Sequence, residues 1–180
     1  MAEFDLFANQ LLEEAKRFFE KAREPSDSIP KAANLHAALM LAFCALEAHI
    51  NSIAEEFAAS ASLSAHEKGI LLEKEVRLKD GEFQLQSGLR ISRLEDRFEF
   101  IYTKFSGKQL DRESDWWSQL SAAIDVRNQL THAKTVPEIA EAAVRNGILA
   151  IIASLDALYQ SIYKRPFPPV GMGLQSGLTF

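Results

Sequence analysis

With 180 residues, 47% of them apolar and 25% charged, the chain is long enough to form one domain that buries about 70% of its unfolded surface without disulfide or metal staples. Only 8 Gly and 6 Pro leave little room for loops or disorder and favour helices. A net charge of −5 and a pI near 5.4 exclude a global basic field, so any contact with nucleic acid has to use a local patch.

The first residues, "MAEFDLFANQ", carry early acidic side chains and no apolar core of the signal-peptide kind. Apolar residues at 4, 7, 8, 11, 12, 15, 18, 19 and 22 follow helical spacing and predict a first helix from Phe4 to Ala22. "EPSDSIP", 24–30, predicts a turn, after which Lys31 opens a second helix reaching about Ser60. This helix is apolar on almost every side, as a helix buried among others is. Its longest apolar run, His36 to Glu47, is too short to span a bilayer, so no membrane association is expected. Cys44, the single cysteine, lies in that run, where a small buried thiol is expected; without a partner in the chain it suits a reducing, cytoplasmic compartment.

Ser64 and Glu67 have capping-box spacing and predict a short third helix. The period then changes to two. In "VRLKDGEFQLQ", Val76, Leu78, Phe83 and Leu85 alternate with polar residues around Asp80-Gly81, which predicts a β-hairpin insertion near residues 76–86. Ser92 and Glu95 have capping-box spacing again, ahead of a helix carrying Leu94, Phe98, Ile101, Tyr102 and Phe105 and ending near Gly107. After the polar connection "KQLDRES", a helix from about Ser114 carries Trp117, Leu120, Ile124, Arg127, Asn128 and His132. Thr135, Pro137 and Glu138 predict the start of a last long helix, apolar at Ile139, Ala142, Val144, Ile148, Ile152, Leu155, Tyr159 and Ile162. The fold class is thus all-α, with a single helical domain over 1–163. The Pro/Gly-rich 164–180 cannot continue a helix and reads as a loose tail or an arm that docks on a partner.

The chemistry concentrates in "RNQLTH", 127–132. On a helix Asn128 and His132 share a face with Arg127 beside them, so the three heads can converge. Arginine offers a planar donor fork for phosphate, and histidine, with an unperturbed pKa of about 6.5, both accepts and donates protons near neutrality. The pair suits reaction at a phosphodiester. Its bland reading is a helix end whose last carbonyls Arg and His neutralise. No metal or other cofactor is called for: His36 and His49 are thirteen residues apart, His66 lies in another segment, and no Cys or His pair has ligand spacing.

An Arg-Asn, three residues and a His on the penultimate helix of a small helical bundle resemble the signature of HEPN domains. "AFCALEAHIN", with its internal acid Glu47, resembles that family's apolar helix. The resemblance implies a HEPN-like bundle that forms a homodimer, with two motifs facing one cleft, and a metal-independent endoribonuclease of toxin–antitoxin, phage-defence or RNA-processing kind. It further implies His132 as general acid or base, Arg127 stabilising charge on the phosphorane and Asn128 supporting that geometry. The alternative in the same family is a non-catalytic module that binds a nucleotide or a partner such as a nucleotidyltransferase-like antitoxin. The hairpin, the Trp116-Trp117 pair and the tail stand outside the common pattern.

Other residues each carry two readings. Glu47 either orients Arg127 or His132, or forms a salt bridge between helices. His49 and Asn51 approach the cleft or serve as hydrogen-bonded structural groups. Trp116 and Trp117 stack bases or divide between core and interface. Arg90, Arg93 and Arg97 make a basic strip or, with Glu95, Asp96 and Glu99 interleaved, a solvated mixed face. In a dimer, the second and last helices are expected to carry much of the contact, with the tail from Pro166 adding to it.

Overall fold

The computed structural model describes residues 3–24 and 27–180; Pro25 and Ser26 of the expected turn lie outside the described residues. The order is α1 (Glu3–Arg23), α2 (Ser28–Ala58), α3 (Ala65–Leu72), β1 (Lys74–Lys79), β2 (Glu82–Leu89), α4 (Leu94–Ser106), α5 (Asp115–Thr131) and α6 (Glu141–Tyr163). Among the described residues the protein is mostly helical, 64%, with one two-stranded antiparallel sheet.

α2 is the axis. Leu35, Leu39, Phe43, Leu46, Ile50 and Ile53 are buried along it against α1 and α6, and Gly147 of α6 lets the backbones close in: a Cβ there would stand 3.1 Å from Ala123 and 3.2 Å from Leu39. α2 begins at Ser28, three residues before Lys31, because Pro30 falls in the first turn, where its missing N–H is no loss. α2 and α6 are each long and apolar enough to cross a bilayer, beyond what the run from His36 to Glu47 suggested; 61% and 50% of their apolar windows are buried inside the bundle.

The Ser64–Glu67 capping box forms in both directions. Asp80 and Gly81 take φ of 53° and 83°, and Val76 pairs with Leu85 and Leu78 with Phe83, the register the alternation requires. The hairpin rests on α3 at Gly69, where a Cβ would come within 2.6 Å of Val76 Cγ2. α4 ends at Gly107 with φ 70°. The second capping box does not form. Arg93 is the N-cap of α4, and the N–H of Ser92 donates to Glu73 Oε1 at 3.2 Å. α6 starts at Glu141, so Thr135, Pro137 and Glu138 lie in an irregular connection rather than in its first turn.

The segment after Tyr163 neither hangs loose nor points away for a partner. It turns back over its own chain: Phe167 is fully buried, and the N–H of Gly177 and the Ser176 hydroxyl donate to the carboxylate and the carbonyl of Glu13 at 2.7 and 2.8 Å. Arg17 Nε donates to the Phe180 carbonyl at 2.8 Å, and Phe18 meets Phe180 edge to face. Burial raises the Glu13 carboxyl, but its bonds to Lys16, Gly177 and Ser176 outweigh that and hold it below the usual range.

Candidate functional site

Near the end of α5, two backbone carbonyls are bonded without either motif side chain. The Thr131 hydroxyl donates to the Arg127 and Asn128 carbonyls at 3.1 and 3.3 Å, and the backbone N–H of His132 donates to Asn128 at 2.9 Å. The Arg127 head is therefore free of the helix end. It lies across α2, with Nη2 3.6 Å from Glu47 Oε1 and Cζ 5.2 Å from the centre of the Phe43 ring. Its side chain is 21% exposed, and its buried Nε has no hydrogen-bond partner. A largely dehydrated guanidinium whose one carboxylate neighbour stands beyond hydrogen-bond range is disposed to take a further acceptor.

That acceptor has a place to sit. Arg127 and Asn128 line a cleft of about 720 Å³ between α2, α5, the start of α4 and the segment that follows β2, with Glu47 and Asn51 on its α2 side. The arrangement brings together three of the four expected site residues. His132 is not among them: it is exposed one turn further along, and its side chain makes no hydrogen bond, ion pair or ring contact with other described residues. Within one chain the three heads of the motif do not converge, because α5 stops at Thr131 and His132 leaves helical geometry at φ −121° and ψ 34°.

One expectation about α2 is overturned. Cys44 is exposed rather than buried, and the Glu47 side chain is 50% exposed. The cleft opens over this side of α2, where Glu47 and Asn51 line it. Partial desolvation by the surrounding side chains and the Glu47 carboxylate push the Cys44 thiol up, against the opposing pull of Arg127. His49 and Asn51, two residues apart, face opposite ways. Asn51 reaches the cleft, whereas His49 is buried against Tyr159 and Phe167, with its Nδ1 3.5 Å from the Tyr159 hydroxyl. Burial lowers its pKa to about 4, and its Nε2 has no partner.

Arg97 is the functional-site residue that sequence reasoning placed wrongly. It is 5% exposed, not part of a solvated face, and it ties the floor of the cleft together. Nη1 donates to Asn51 Oδ1 at 2.6 Å and pairs with Glu73 at 3.3 Å, while Nη2 bonds the Leu71 carbonyl. Burial pulls its pKa down, opposed by Glu73, Glu47 and Glu55. Arg90 and Arg93 remain exposed, and Arg93 lines the cleft. Trp117 is buried and Trp116 half-buried, both against Phe98, which makes the pair a core element rather than a stacking platform. Among the described residues no group of three or more His, Cys, Asp or Glu side chains is placed to hold a metal ion. Comparison of the chain with protein-family models, curated proteins and solved structures finds no match.

Proposed function

We propose that the chain is a HEPN-type endoribonuclease that cuts RNA by internal attack and works as a homodimer, in a toxin or defence role in the cytoplasm. The observation that carries the reading is Arg127: a mostly buried guanidinium, not used to cap its helix, on the wall of an open cleft beside Asn128. In the proposed reaction the ribose 2′-oxygen bonds to phosphorus, its proton passes to a base, the bond from phosphorus to the 5′-oxygen breaks, and an acid protonates that oxygen. The products are a 2′,3′-cyclic phosphate and a 5′-hydroxyl. Arg127 stabilises charge on the phosphoryl oxygens, Asn128 holds the phosphate, and Glu47 holds Arg127. His132 supplies the proton transfer. Because each chain carries one exposed His132 outside its own cleft, a twofold dimer is the arrangement that presents two such groups to one substrate.

The test is incubation of purified protein with mixed-sequence RNA in EDTA. Fragments ending in 2′,3′-cyclic phosphate are expected, and no cleavage by folded, dimeric protein with or without divalent ions would sink the enzyme reading. The position of His132 outside the cleft favours a second reading, in which the polar cleft holds a nucleotide or a nucleotidyltransferase-like partner without cutting anything. Under that reading Arg127→Ala abolishes binding while His132→Ala leaves it unchanged.

A further inference from the structure

The cleft has a wall that the motif does not explain. Leu89, the last residue of β2, and Ile91, just beyond it, both line the cleft, and they are 69% and 77% exposed. Two large aliphatic side chains left in water beside Arg127 and Arg93 call for a ligand that is apolar on a face and anionic at an end. Inorganic phosphate would leave the aliphatic wall unused, and an apolar peptide would leave the arginines unused. Of the carboxylates in the lining, Glu47 is paired with Arg127 and Glu73 with Arg97. Glu95 has no ion pair among the described residues and suits the amine edge of a base better than a phosphate. A cleft of about 720 Å³ lies within the range of small-ligand sites, and a single nucleotide fits such a volume.

We infer that the hairpin insertion turns this cleft into a nucleotide subsite. The base next to the scissile phosphate lies against Leu89 and Ile91, and its phosphate reaches Arg127 and Arg93. The subsite rests on the ribonuclease reading for its place in an RNA chain, and it adds what the motif alone lacks, a surface able to distinguish one base from another. Gly69 fixes the position of that surface, since β1 sits directly on α3 there and carries β2 with it.

The experiment titrates the intact protein with adenosine 3′-monophosphate, cytidine 3′-monophosphate and inorganic phosphate, followed by calorimetry and by the methyl signals of Leu89 and Ile91. At least one nucleotide is expected to bind about tenfold or more tightly than phosphate, from the apolar area each aliphatic contact removes from water. A double variant, Leu89→Ser with Ile91→Ser, should fold normally, both side chains being exposed, and should bring nucleotide affinity down to that of phosphate. Arg127→Ala should weaken binding of both. Equal affinity for nucleotides and phosphate, no binding of either at millimolar concentration, or a double variant that keeps the margin would each overturn the inference. So would a double variant that changes only the sedimentation of the protein, which would assign the aliphatic wall to a second copy of the chain. RNA cleavage without a nucleotide margin sinks the subsite and spares the ribonuclease; the margin without cleavage does the reverse.

Discussion

At the scale of single residues, the motif was legible because spacing alone puts Arg127 and Asn128 at one end of a helix, and the structure finds both at the cleft. Arg97 was misread because Glu95, Asp96 and Glu99 surround it in the chain and suggest solvent. The contrary signal was there in its spacing: Leu94, Arg97, Phe98 and Ile101 follow the three-four pattern of a buried stripe, and Arg97 belongs to that stripe. His132→Ala should reduce any RNA cleavage by about 10²–10⁴-fold while leaving the melting temperature nearly unchanged, since the side chain is exposed and makes no hydrogen bond, ion pair or ring contact with other described residues. Kinetics on RNA together with thermal melting checks both halves. His49 makes a different kind of statement. Its pKa falls from 6.5 to about 4 on folding, so between those values the unfolded chain holds the proton and the folded one does not. Stability is therefore full above about pH 6.5 and declines as pH drops toward 4, by roughly 3 kcal/mol in total. Melting curves across that range should show the decline, and His49→Phe should flatten it; an unchanged slope would mean that other groups set the acid limit.

At the scale of elements, six of the eight begin or end where capping and turn chemistry place them within a few residues. The hairpin is the clearest case, because Asp80-Gly81 supplies two consecutive positive φ values that few other pairs tolerate. α6 was misplaced for a reason of the same kind. A proline can open a helix without being obliged to, and Pro137 here sits in an extended approach to Ala140. What the sequence could not supply was the docking of the hairpin, which depends on a glycine in the helix just before it. Gly69→Ala would set a methyl group 2.6 Å from Val76 Cγ2 and 3.0 Å from the Lys74 carbonyl. The hairpin should be displaced at a cost of about 1–3 kcal/mol. Faster amide exchange confined to residues 74–89 is the expected signature, and protection equal to the wild type would show that β1 has room to adjust.

At the scale of the molecule, a bundle with one apolar helix at its axis was readable from periodicity, but the free surface was not. α2 and α6 were expected to leave apolar area for a partner, yet among the described residues the exposed large hydrophobics include only Ile29 on α2 and none on α6. The exposed ones lie instead on the hairpin and just after it, at Leu78, Phe83, Leu89 and Ile91, and elsewhere at Leu6, Phe7, Ile70, Val136, Val170, Met172 and Phe180. A dimer that serves the proposed reaction would bring His132 of one chain to the cleft of the other. Sedimentation velocity at micromolar concentration should show a dimer; a monomer with full activity would remove the need for a second chain.

The return of residues 164–180 to α1 bears on how long the fold lasts once formed. Arg17 and Phe180 are 163 positions apart in the chain, as are Glu13 and Ser176, so these bonds close loops that take in most of the protein. Loops of that length form late, after the local helices have settled, and bonds absent from the rate-limiting step act on escape from the native state rather than on entry to it. Ser176→Ala removes about 1 kcal/mol of hydrogen bonding at that junction. It should speed unfolding about fivefold and leave the refolding rate as it was, a contrast that stopped-flow measurements in denaturant read directly. An equal change in both rates would mean that the two ends of the chain meet early, and that the last segment guides folding instead of sealing it.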